Sequence, residues 1–202
     1  MVTVYGARSR AERLIAGVRR RHAAVRGVTP DGQLYDATDP ELLDWVQATA
    51  AVSFLDAWQR HVGRLSQAQR DAYLAEGRAA GALFGATWAP SGEGDWHLLL
   101  ERMLPKLGPS PVIHEFLRIL SMAPLLPLPM RPLQRLLLRA ALQGVPPVVR
   151  QRIGLDGAAL GRAQRRLVET LARAADTLVL PSSPPVQACR RLGLADRYLY
   201  EG

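Results

Sequence analysis

The sequence predicts an all-α fold, and three observations lead to that prediction. Apolar residues recur at helical spacing along nearly the whole chain, and no segment of useful length alternates with the period of a strand. Serine, aspartate, proline and glycine stand where helices would begin or end. The 202 residues are enough for one well-filled core. We therefore expect a single domain over residues 1–202, with roughly seven to nine helices around a central buried helix.

The composition is that of a globular protein. Hydrophobic residues make up 48% of the chain and charged residues 22%, outside the range of disordered proteins. The net charge is +8, but Lys106 is the only lysine, and such arginine usage often reflects coding bias rather than a polyanionic partner. One cysteine, Cys189, cannot form an internal disulfide, and the N-terminus has no signal-peptide core. We expect a cytoplasmic protein.

The first long helix is predicted over residues 9–26. Its apolar positions fall on one face, and His22 lies on that face, whereas most of the neighbouring arginines point elsewhere. The residues of this face are Ala11, Leu14, Ile15, Val18, His22 and Val25. The pattern predicts that His22 faces the core and that Gly27 ends the helix as a left-handed cap.

The second helix is predicted to occupy the centre of the fold. After a turn at Asp31 and Gly32, Asp39 is the expected N-cap of a helix that begins at Pro40 and continues to about residue 62. Apolar residues lie nearly all the way round this helix, so we expect it to be buried. The aromatic residues expected in the core are Trp45, Phe54 and Trp58.

The remaining helices follow from local start and stop signals. Ser66 and Gln69 form a capping box that begins a third helix, and Gly85 ends it. Further helices are predicted over residues 95–107, 110–122, 132–143, 148–153, 157–178 and 186–192. The uncharged run 119–130 contains three prolines and is too short to span a membrane, so we interpret it as a loop or a surface-seeking segment.

Several chemistries are excluded by the absence of their motifs. The chain has no phosphate-binding glycine loop, no dinucleotide-binding glycine pattern, no H-E-x-x-H and no G-x-S-x-G. Its four histidines and one cysteine lack the spacing of a metal cluster. Spacing leaves His22 as the one candidate ligand, and a lone histidine on an apolar face is more often a core residue.

Four ordered motifs point to a known family. They are VRRRHAAVRG (residues 18–27), YDATDPELLDWVQAT (35–49), LSQAQRDAYLAEG (65–77) and VPPVVRQRIGL (145–155). Together they resemble the catalytic domain shared by the rubber oxygenases (latex-clearing proteins) and the membrane-associated oxygenase of mycophenolic acid biosynthesis. The resemblance covers roughly residues 5–190.

The resemblance implies a haem b protein with His22 as the proximal iron ligand. Tyr35, Gln47 and Arg150 are further candidates for the cofactor site. Arg150 is either a partner of a haem propionate or a solvated arginine, and Tyr35 either a pocket hydroxyl or a loop anchor. Characterised members cleave carbon–carbon double bonds of isoprenoid chains with O₂. The resemblance therefore implies an oxygenase-like oxidoreductase whose partners are O₂ and an apolar or isoprenoid-type molecule.

Two departures from the family pattern keep other readings open. Gln47 stands where the family has a histidine, and glutamine cannot act as a general base. The chain also begins after an N-terminal portion that family members carry. One alternative is therefore a truncated, non-catalytic helical domain without haem. The other is a basic binder of anionic surfaces, but no nucleic-acid motif is present, so nucleic acid is not an expected partner. No transmembrane helix is expected, and peripheral membrane contact stays open.

Overall fold

Helices form most of the computed structural model, which describes residues 2–29, 32–155 and 160–200. Within these ranges lie ten α-helices, nine of them six residues or longer, so the all-α prediction is confirmed. They are α1 (Val2–Tyr5), α2 (Arg8–Ala23), α3 (Pro40–His61), α4 (Gln67–Phe84), α5 (Glu93–Met103), α6 (Pro111–Met122), α7 (Arg131–Gly144), α8 (Pro147–Arg152), α9 (Arg162–Asp176) and α10 (Pro184–Arg191). The predicted turn at Asp31 and the predicted helix start at Gly157 lie outside the described residues.

A small antiparallel hairpin replaces part of the predicted first helix and loop. Its strands are β1 (Arg26–Val28) and β2 (Leu34–Asp36), and the register pairs Gly27 with Tyr35. Helix α2 ends at Ala23, so the prediction that Gly27 caps it is wrong. A Cβ atom on Gly27 would lie 2.6 Å from the Tyr35 hydroxyl oxygen. Glycine is needed here because the tyrosine ring packs over the opposite strand.

Local capping signals act where the sequence predicts them. The Asp39 carboxylate accepts a hydrogen bond of 2.8 Å from the backbone N–H of Glu41 at the start of α3. Ser66 and Gln69 form the reciprocal capping box of α4. Gly85 follows α4 with φ of +103°, the left-handed conformation that suits glycine. These three predictions are confirmed.

Helix α3 is central but buried along one face only. It packs against α4, α5, α7 and α9. Its buried residues are Asp44, Ala48, Ala51 and Leu55. Trp45 stacks on Trp96 of α5 with ring centroids 5.8 Å apart, as a core aromatic should. Phe54 is 72% exposed and Trp58 45% exposed, so placing these two in the core is wrong. The spacing of apolar residues shows which faces of a helix are apolar, but not which of those faces pack against another helix.

The fold leaves much apolar surface open to solvent. The accessible surface is 13856 Å². A compact monomer of 22.1 kDa would expose roughly 9,300 Å². Such an excess is expected of a fold with open clefts and uncovered helix faces, and both are found in the described part of the chain.

Candidate functional site

His22 lies in the last turn of α2 and lines a pocket of about 360 Å³. Ile15 on the same helix face is buried and Val18 is half-buried, so helical periodicity carries His22 towards the protein as predicted. Its imidazole is half-buried and has no hydrogen-bond partner within the described ranges. Leu14 and Val25, predicted to share the buried face, are exposed. Leu14 is on the solvent edge of the face, and Val25 lies beyond the end of α2.

The pocket combines cationic and apolar walls. Leu43 of α3 and Phe84 of α4 supply apolar surface, while Arg19 and Arg20 line the same space. Both arginines are exposed, as expected of residues that lie off the apolar face of α2. The pocket wraps around the end of α2, so residues on adjoining sides of its last turn all border it. Such an arrangement can hold an apolar group that carries negative charge beside an imidazole.

Asp44 of α3 holds the segment that follows Gly85, a residue that lines the pocket. Asp44 is buried, and its Oδ1 accepts hydrogen bonds from the backbone N–H groups of Thr87 at 2.7 Å and Trp88 at 3.0 Å. Its Oδ2 accepts from the Thr87 hydroxyl at 3.1 Å. A Cβ on Gly85, just before these residues, would lie 3.2 Å from a Leu43 methyl. Sequence reasoning missed Asp44; a lone acid on an otherwise apolar helix face was the available signal.

Gln47 contributes to helix packing. Its side-chain Nε2 donates to the carbonyl oxygen of Gly77 on α4 at 3.1 Å. A Cβ on Gly81, one turn later, would lie 2.8 Å from the Gln47 Cγ. Gly81 therefore admits the glutamine between α3 and α4, and the partner that a half-buried amide requires is the backbone carbonyl of Gly77.

The four candidate site residues do not share one cavity in the described part of the chain. His22 lines the pocket at the end of α2, and Gln47 lies in the α3–α4 contact. Tyr35 is 43% exposed and covers Gly27 in the hairpin. Arg150 lines a different cavity.

That second cavity, named here the α3–α7–α9 cleft, has an apolar part and a basic end. The apolar part has a volume of about 520 Å³ and is lined by five alanines and a glycine together with larger apolar side chains. The basic end, about 350 Å³, shares Arg60, His61 and Ala140 with it and adds Arg150 and Arg165. Sequence reasoning missed this cleft because its walls come from four helices far apart in the chain.

An apolar face of α6 is also exposed. Val112, Phe116 and Ile119 recur at helical spacing and are 72%, 57% and 52% exposed. Across the described residues, no helix is both long and apolar enough to cross a bilayer. Within those same ranges, no three histidine, cysteine, aspartate or glutamate side chains lie close enough together to hold a metal ion.

The described part of the chain is thus a helical domain with two ligand-sized cavities, one of which is bordered by the half-buried imidazole of His22. The chain belongs to a known family: over residues 1–177 it matches the family described as ER-bound oxygenase mpaB/B'/rubber oxygenase, catalytic domain. No curated protein matches the chain significantly, and neither does any solved structure.

Proposed function

We propose that the chain is a haem b-dependent, oxygenase-like oxidoreductase that acts with O₂ on an apolar, isoprenoid-type molecule. Its family is one of oxygenase catalytic domains. The observation that carries the proposal is the half-buried, unpartnered imidazole of His22 in its pocket. The His22 side chain forms no hydrogen bond to another residue within the described ranges, so a ring nitrogen is available to a metal.

The residues around His22 fit one side of a haem. The pocket volume of about 360 Å³ is smaller than a haem, so the pocket would hold only the part of the macrocycle nearest His22. Arg19 and Arg20 suit the propionate carboxylates, and Leu43 and Phe84 suit the macrocycle.

The chemistry divides between cofactor and protein. Haem, when bound, would supply the iron that activates O₂. His22 would hold that iron through a ring nitrogen at the end of a rigid helix. Leu43 and Phe84 would exclude water, and Arg19 and Arg20 would hold the carboxylates. Gln47 lacks the acid–base capacity of an imidazole, and its amide is engaged with Gly77, so no proton transfer is assigned to it.

The test is reconstitution of the purified chain with haem, followed by absorption spectroscopy. We expect a Soret band that is lost in His22→Ala and restored when imidazole is added to that variant. His97→Ala, which alters an exposed histidine on α5, is the matched control and should keep the band. Far-UV circular dichroism separates loss of ligation from loss of folding. An equal Soret band in His22→Ala without imidazole would refute the assignment.

A non-catalytic helical domain is the second candidate. It is favoured by the structural engagement of Gln47 and by the large exposed apolar surface. It predicts a folded protein that remains colourless when haem is supplied, so the same spectrum distinguishes the two candidates.

A further inference from the structure

The α3–α7–α9 cleft is separate from the His22 pocket. Leu43 lines the pocket, whereas Arg60 and His61 line the cleft on the same helix. At 1.5 Å per residue, the cleft begins about 10 Å from Leu43 along α3, at Ala50, and its basic end lies about 25 Å away; the pocket and the cleft share no lining residue. A small molecule bound in the cleft therefore does not contact His22.

The apolar part of the cleft exists because small side chains face one another where three helices pack. Ala57 of α3, Ala141 of α7 and Ala172 of α9 all line it, and none of them can fill the space between the helix backbones. Phe54 and Leu137 border the same space and are 72% and 42% exposed. The volume of about 520 Å³ and this lining suit a hydrocarbon chain.

The basic end carries unpaired positive charge. Arg150 and Arg165 form no ion pair within the described ranges, and Arg60 lies 3.9 Å from the Asp56 carboxylate. Glu169 is the single acid among the lining residues of this end. An excess of guanidinium groups over carboxylates favours an anionic ligand.

Two buried polar atoms at this end lack a hydrogen-bond partner. They are Nδ1 of His61 and Nε of Arg150, two of the four such side-chain atoms in the part of the chain that the structure describes. Both residues line the basic end of the cleft. Buried polar groups are rarely left unpaired, and a carboxylate can accept from several donors at once.

We infer that the α3–α7–α9 cleft binds a single-chain amphiphile with a carboxylate head, as in a medium-chain fatty acid. The chain would lie along the alanines, and the carboxylate would accept hydrogen bonds from Arg150 and Arg165 beside His61. A nucleic acid is a poor match because the longer wall is apolar. A phosphate head shares the negative charge of a carboxylate, so the test includes both.

The test measures binding of cis-parinarate, a fluorescent fatty acid, to the purified 202-residue chain and its displacement. We expect dodecanoate to displace it about tenfold more effectively than dodecanol, because the alcohol lacks the charge. The variant Arg150→Gln/Arg165→Gln should lower dodecanoate affinity about tenfold and leave dodecanol unchanged. Arg166→Gln, at an exposed position outside the cleft lining, is the matched control.

A second variant tests the apolar part. Ala57 is exposed, so Ala57→Trp should fold normally while its indole fills the groove. It should weaken dodecanoate and dodecanol alike. The inference is overturned if neither variant changes dodecanoate binding. It is also overturned if dodecyl phosphate binds more than about tenfold tighter than dodecanoate. A third contrary result would be a stable dimer of the parent chain that Ala57→Trp converts into a monomer, because a second copy of the chain would then occupy the cleft.

The haem proposal and this inference fail separately. His22→Ala should lose the Soret band and keep dodecanoate binding. If His61→Ala instead loses the Soret band, the cleft holds the haem and both assignments are wrong.

Discussion

Replacing Asp44 by alanine removes the acceptor of three hydrogen bonds that join α3 to the segment after α4. The donors are the Thr87 and Trp88 backbone N–H groups and the Thr87 hydroxyl. Each hydrogen bond to a charged group contributes roughly 1.5–3 kcal/mol, but the three share one carboxylate and do not add. Thr87 and Trp88 are partly exposed, so water can replace some of the loss. We expect Asp44→Ala to lower the free energy of unfolding by about 2–4 kcal/mol.

The isosteric variant Asp44→Asn provides the internal comparison. Its carbonyl oxygen can replace Oδ1, which accepts both backbone hydrogen bonds, and its amide can donate to the Thr87 hydroxyl oxygen. We expect it to cost about 1 kcal/mol. Asp196→Ala, which breaks an exposed ion pair with Arg190, should lower stability much less than Asp44→Ala does.

Urea denaturation followed by circular dichroism at 222 nm measures these differences. Thermal denaturation should show the same order, with Asp44→Ala lowering the midpoint by roughly 4–16 °C. If Asp44→Ala were no less stable than Asp44→Asn, the hydrogen bonds of Asp44 would not hold α3 to the segment after α4, and this prediction would be wrong.

Three further predictions concern packing, pH and surface. Gly81→Ala should lower the free energy of unfolding by about 1–3 kcal/mol, because its Cβ would overlap the side chain of Gln47 on α3. Gly77→Ala would place its Cβ 3.5 Å from the Gln47 Nε2, an ordinary contact, so it should be neutral or stabilising in the same urea assay. Burial raises the pKa of Asp56. That carboxyl therefore stabilises the fold below its unfolded pKa and loses the contribution as pH rises through the folded pKa. Asp56→Asn should be the more stable form at pH 7 by less than about 1 kcal/mol, with no advantage near pH 3. Phe116→Asp on α6 should weaken sedimentation with anionic liposomes by about tenfold, whereas Leu98→Asp on α5 should not. Equal losses in the two variants would show that the exposed face of α6 is not a membrane-contact surface.

Helix boundaries set by local bonds were predictable from sequence. Asp39, the capping box of α4 and Gly85 act through contacts within a few residues, so their residue types suffice to locate them. The end of α2 was not predictable, because Gly27 serves the packing of Tyr35 across a hairpin rather than a helix cap.

In the candidate site too, features set by nearby residues were predictable from sequence, whereas contacts between distant parts of the chain were not. Helical periodicity predicted that His22 faces the protein, and the family resemblance predicted that it is an iron ligand. The partner of Gln47 was hidden because it is the carbonyl of Gly77, thirty residues away, which carries no signal in its side chain. Arg150 was named from a motif, but its neighbours Arg60 and Arg165 come from other helices, and no local pattern groups them.

The most direct test of the central claim is the absorption spectrum of the purified chain reconstituted with haem b. We expect a Soret band in the parent protein and in His97→Ala, and none in folded His22→Ala until imidazole is added. A parent protein that folds but shows no Soret band, or a His22→Ala variant that shows the full band alone, would contradict it.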